Sequence, residues 1–180
     1  MSPKPGMSTA RCRCGFTLIE LMMTMCVSIL LLAIGAPVLR DFIIETRMSV
    51  TVNRFIAAAT LARTEAIKRG RAVVLCRSVN VTFGTGLCDS SAVGGRPGND
   101  WASGWVVIVP DENRVLLRQA IASADLTILA ATKAIKYDGL GRPGGSFTKL
   151  VFRHAGKFER VICFSRSGRM NVLLGTSECA

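Results

Sequence analysis

From Phe16 to Leu39 the chain is almost wholly apolar, and from Asp41 to Arg69 apolar positions recur every three or four residues. At about 1.5 Å per residue the first run reaches roughly 36 Å as a helix, enough to cross a hydrocarbon core of about 30 Å. In the second run Ile44, Met48, Val52, Phe55, Ala59, Ala62 and Ala66 fall on one stripe, while Arg47, Arg54 and Lys68 are free to face water. Glu65 and Arg69 form an i,i+4 pair of favourable orientation, and Gly70 is a natural stop. The pattern predicts one long helix ending near Lys68. Pro37 either bends that helix or ends an apolar segment there.

After Gly70 the periodicity turns strand-like. Ala72 to Arg77, Trp105 to Val109, Val115 to Ala120, Leu126 to Ala130, Leu150 to Arg153, Arg160 to Ser165 and Asn171 to Leu174 are short β-rich runs between turn clusters. Gly84 to Gly104, rich in Gly and Ser, reads as a surface loop, and Asp138-Gly139 and Gly141 to Gly145 mark further turns. No internal repeat is present. A long helix followed by many strands is an α+β pattern.

With 180 residues, 49% hydrophobic and 19% charged, the chain suffices for one membrane segment and one compact domain. Its 23 Lys and Arg against 12 Asp and Glu make a negatively charged partner plausible. The single histidine, His154, excludes an H-E-x-x-H zinc site, and seven cysteines without a C-x-x-C pair argue against a zinc knuckle or a thioredoxin-like motif. His154, between Arg153 and Gly156, reads as a surface or turn residue; neither a catalytic residue nor a metal or cofactor site is expected.

Residues 1–15 hold Lys4, Arg11 and Arg13 and no acid. A basic leader before an apolar run also describes a secretory signal peptide, but this run exceeds the usual 7 to 15 apolar residues of one. Glu20 is the anomaly, since a carboxylate inside an apolar membrane helix costs several kcal/mol unless paired or near the interface. A cut after Gly15 would create an amino terminus at Phe16 able to supply the pairing charge.

Gly15-Phe16-Thr17-Leu18-Ile19-Glu20-Leu21 resembles the type IV prepilin cleavage motif. The resemblance implies that a prepilin peptidase cuts after Gly15 and methylates Phe16, and that Glu20 neutralises a neighbouring amino terminus and sets subunit register during assembly. Thr64 to Gly70, Val74-Leu75-Cys76-Arg77-Ser78, Trp101, Gly104 to Val107 and Ser165-Arg166-Ser167-Gly168-Arg169, in that order, resemble the GspH/FimT group of minor pilins and pseudopilins. That group implies a long N-terminal helix packed on a β-rich head of two antiparallel sheets. It also implies a leader at 1–15, a transmembrane and assembly helix at 16–39, and an amphipathic continuation with a periplasmic head at 40–180. A structural, non-enzymatic subunit is expected, single-pass in the inner membrane before assembly and in a pilus afterwards, with other pilins as partners. The alternatives are a minor pseudopilin of type II secretion and a dedicated DNA-binding pilin.

Cleavage would remove Cys12 and Cys14, and Cys26 would lie in the membrane helix, leaving Cys76, Cys88, Cys163 and Cys179 in an oxidising space. Three pairings are possible, and sequence neighbours favour Cys76 with Cys88 and Cys163 with Cys179. Between Lys133 and Arg169 there are nine Lys and Arg against two acids, Asp138 and Glu159, which suits either duplex DNA or a solvated strand face. DNA-binding FimT-like pilins carry a G-R-x-R motif; here Gly168-Arg169-Met170-Asn171 keeps the first arginine, and Arg166 is the candidate to compensate for the second.

Overall fold

The computed structural model describes residues 15–79, 81, 87–121, 123–144, 149–175 and 179. Residues 1–14 of the expected leader, and the predicted turn positions 84–86 and 145, lie outside the described residues. Two compact units are present, Met1–Ile43 and Ile44–Ala180.

Helix α1 (Leu18–Arg69) runs through both units and continues past Pro37. Proline there removes one backbone donor without ending the helix. In the first unit, Thr24 and Ser28 return their hydroxyls to the carbonyls of Leu21 and Thr24 at 2.9 and 2.7 Å, so these polar groups are satisfied within the helix.

In the second unit α1 buries Met48, Val52, Phe55, Ala58, Ala59, Ala62 and Ala66. The predicted stripe gains Ala58, and Ile44 at its start is only half-buried. Four alanines leave room for strands to approach the helix backbone. Phe55 fills the centre: its ring meets Trp101, Trp105, Phe152 and Phe164 edge-on, with centroids 5.6, 5.3, 6.0 and 6.4 Å away. The helix ends at Gly70, whose φ of +62° permits two closing bonds, Gly70 N–H to the Ile67 carbonyl and Arg71 N–H to the Ala66 carbonyl.

The strands are β1 (Val73–Arg77), β2 (Trp105–Val109), β3 (Arg114–Gln119), β4 (Leu126–Ala130), β5 (Ala134–Tyr137), β6 (Pro143–Gly144), β7 (Lys149–His154), β8 (Phe158–Phe164) and β9 (Met170–Leu174). They form two antiparallel sheets, ordered β3-β2-β1-β5-β6 and β4-β7-β8-β9. Val73 and Leu75 of the first sheet and Leu150, Phe152 and Ile162 of the second share one core with the α1 stripe. Fold class is therefore α+β, with a helix and two antiparallel sheets.

Three expectations need correction. Strands β5 and β6 were not expected, since β5 is only four residues long with Lys136 inside it, and β6 is a two-residue edge where proline needs no ladder donor. Strand β7 runs on to His154 and β8 begins at Phe158, beyond their expected limits at Arg153 and Arg160, because backbone pairing extends to the turn. The loop predicted over 84–104 is not all surface: Asp100, Trp101 and Ala102 are buried, and Trp101–Ser103 forms a 3-10 turn. Trp101 is drawn inward by Phe55 and by its indole bond to the Thr132 carbonyl.

Candidate functional site

The first candidate segment is the start of α1. Gly15 and Phe16 precede the helix, and Phe16 is 82% exposed. Thr17 caps it, its hydroxyl accepting from Glu20 N–H at 3.3 Å and its carbonyl from Leu21 N–H at 3.1 Å. Thr17-x-x-Glu20 has capping-box spacing, and an acid in the first turn complements the helix dipole. The capping bond uses the backbone N–H of residue 20, and the Glu20 side chain itself adds only its charge in the first turn. Its exposed carboxylate has no ion-pair partner among the described residues, so it is available to a charge from another chain.

The second candidate lies in the β8–β9 turn. Ser165 N–H bonds the Arg169 carbonyl and Gly168 N–H the Ser165 carbonyl, both at 2.9 Å. From α1, Arg63 donates to the carbonyls of Ser167 and Gly168 at 3.0 and 3.2 Å. Gly168 is required: its φ is +79°, and a Cβ there would lie 3.1 Å from the Gly141 carbonyl oxygen. Arg166 and Arg169 are exposed. Arg166 shares a groove with Lys136, Asp138 and Arg142, whereas Arg169 is outside that lining.

Folding divides the basic segment. Arg142 pairs with Asp138 at 3.0 Å, Arg153 with Glu159 at 3.1 Å and Arg160 with Glu45 at 3.1 Å. The Asp138 carboxyl is held below its ordinary range chiefly by the Arg142 backbone N–H. Lys133, Lys136, Lys149, Arg166 and Arg169 keep no acidic partner among the described residues. Of these, the groove gathers Lys136 and Arg166. Phe152, Phe158 and Phe164 belong to the core or pack against it.

Cys76 is bonded to Cys88 and Cys163 to Cys179, with Cα separations of 5.4 and 5.5 Å. Cys76 lies in a small cluster with Val81 and Val106, on the face of its sheet away from the main core, so this bridge fastens the chain after β1 over that face. The second bridge ties the segment after β9 back to β8. Cys26 is an exposed free thiol in α1.

A polar hub was missed by sequence reasoning. Arg77, fully buried at the end of β1, donates from Nε to the Asp100 carbonyl and from Nη1 to the carbonyls of Asp89 and Ser91, at 2.8 to 2.9 Å. Burial pushes its pKa below that of an ordinary arginine. The Asp100 carboxylate accepts from Ala102 N–H and Ile128 N–H and pairs with Arg96 at 2.8 Å. Arg96 in turn reaches the carbonyls of Ser123, Ala124 and Leu126. The hub fixes the β1–β2 connection to both sheets. Its sequence signals are an arginine closing an apolar strand and an acid immediately before Trp101.

His154 ends β7, half-buried, in register with Phe158. Among the described residues no three His, Cys, Asp or Glu side chains are gathered as metal ligands.

The family described as type II transport protein GspH matches residues 51–168. Two crystal forms of the Pseudomonas aeruginosa type IV minor pilin FimU are similar at 17% identity. One covers 74% of this chain and 92% of that chain at a TM-score of 0.54, the other 72% and 91% at 0.45. The first of these is a likeness of fold. No curated protein matches significantly.

Proposed function

The chain belongs to the GspH family, and on that premise we propose that it is a FimT/FimU-like minor type IV pilin, a structural subunit that assembles with other pilins through its N-terminal helix. The observation that carries this reading is the first half of α1: a helix whose most apolar 18-residue stretch has a mean hydropathy of 2.3 and no buried residue, opened by Thr17 and an unpaired Glu20. Residues 1–15 are then a leader, 16–39 a single inner-membrane span and assembly helix, and 40–180 its continuation with a periplasmic head. The prepilin peptidase cuts after Gly15 and methylates Phe16, and Glu20 pairs with the amino terminus of a neighbour. The same parts would serve a minor pseudopilin, and copurifying subunits distinguish pilus from type II secretion neighbours.

N-terminal sequencing and intact mass of protein from a pilus-competent host test the reading. Methylated Phe16 at the amino terminus is expected; a chain beginning at Met1 or cut beyond Leu39 would overturn it. Glu20→Ala should leave the head folded and deplete the subunit from sheared filaments.

The groove joining Arg166 to Lys136 favours a second role, contact with duplex DNA during uptake. Phosphate contacts make such binding steeply salt-dependent and indifferent to sequence. Lys136→Ala with Arg166→Ala should lower affinity and flatten the salt slope, with a smaller effect from Arg169→Ala. Unchanged binding in the double variant would remove this role.

A further inference from the structure

A second groove lies within Ile44–Ala180, along α1. Its lining includes Arg47, Val50 and Arg54 from the helix, with Ile121, Ser123 and His154 opposite. Arg47 and Arg54 are seven residues apart, about two turns, and so share a helix face. Both are exposed and neither has an acidic partner among the described residues, whereas Arg63 and Arg69 of the same helix are bonded. His154 Nδ1 is buried without a hydrogen-bond partner. Two cations line this groove, and the His154 ring forms part of its wall with Nδ1 beneath the surface, an arrangement suited to an anion. Beside them Val50 is 42% exposed and Ile121 half-buried, so the groove also offers apolar contact. A phosphate attached to an apolar body fits both properties.

The place of this groove in the chain selects among such ligands. Arg47 follows the apolar run ending at Leu39 by only eight residues in sequence, and arginine side chains can reach back towards a membrane surface. We infer that the groove binds the phosphate of an anionic phospholipid headgroup, with Arg47 and Arg54 as its countercharges and Val50 and Ile121 against the apolar glycerol and acyl region. The inference rests on residues 16–39 spanning a membrane. Binding at this groove would hold a subunit's head at the bilayer before assembly.

The test uses the full chain, extracted from washed membranes in a nonionic detergent and exchanged into mixed micelles. Native mass spectrometry then measures retained phosphatidylglycerol and phosphatidylcholine, with inorganic phosphate in a separate arm. Wild type should prefer phosphatidylglycerol. Arg47→Ala and Arg54→Ala should each reduce that preference about fivefold, Arg47→Lys with Arg54→Lys should largely retain it, and Lys133→Ala with Lys149→Ala, which removes equal charge elsewhere, should leave it unchanged. Equal retention of the two lipids, an unaltered preference in the arginine variants, or an equal loss in the lysine variant would overturn the inference. Displacement of the lipid by inorganic phosphate would assign the site to the free ion instead. Failure of the membrane reading is separate, since wild type would then be recovered without detergent before any lipid is measured.

Discussion

Between Leu18 and Leu39 helix α1 has no buried side chain, although this is its most apolar part. Between Met48 and Ala66 it is interrupted by Asn53, Arg54, Thr60, Arg63 and Glu65, yet it buries seven residues. Uniform apolarity around a helix suits lipid or other apolar helices, whereas a stripe suits one packed side. Total hydrophobicity therefore does not identify the half that stabilises the head. The distribution of small and aromatic residues does: four alanines admit the strands, and Phe55 touches aromatic side chains from both sheets.

The sharpest way to break this comparison is to empty the packed half. Phe55→Ala should cost about 3–5 kcal/mol, read by denaturant unfolding of the detergent-solubilised chain followed by tryptophan fluorescence. A loss below about 1 kcal/mol would mean that the helix is dispensable to the core. Next, Cys76→Ala with Cys88→Ala should cost about 3 kcal/mol by the same measurement, because a bridge of 12-residue separation restrains the unfolded chain. An unchanged midpoint would show the cluster around Val81 and Val106 to hold without it.

Tyr137 reports on the same core by titration. It is the chain's single tyrosine, and burial pushes its pKa up to about 12. Its neutral form is favoured by folding, so this contribution is complete below about pH 10, the unfolded value, and is lost as pH rises through about 12. Phenolate absorbance should stay absent near pH 10 in the folded chain and appear at that pH after denaturation. Smallest of all is the unpacked half: Leu30→Ala should change head unfolding by less than about 0.5 kcal/mol. A loss comparable to that of Phe55→Ala would erase the distinction.

Much of this was legible where the signal is local. The α1 stripe and stop need only 3.6-residue periodicity and Gly70, and the cleavage-like segment from Gly15 to Leu21 is contiguous. Seven strands announced themselves as apolar runs. Strand β5 did not, because alternation over four residues containing Lys136 is indistinguishable from a loop until β1 pairs with it. Nor did the Arg77–Asp100–Arg96 hub, whose partners are spread over the β1–β2 connection, the segment before β4 and β4 itself. The sequence presented nine cations between Lys133 and Arg169 as one basic segment. Ion pairs with Asp138, Glu159 and the distant Glu45 occupy three of them, and only folding brings Lys136 beside Arg166.

The grip of Arg63 on the β8–β9 turn has an evolutionary consequence. Both of its bonds go to main-chain oxygens, so the turn's shape depends on Arg63, Gly168 and the hairpin ladder rather than on the side chains at 166 and 169. Those two exposed positions can change charge or size while the loop keeps its path. One head architecture can therefore trial different surface chemistries at this corner by single substitutions, without the fold having to adapt first.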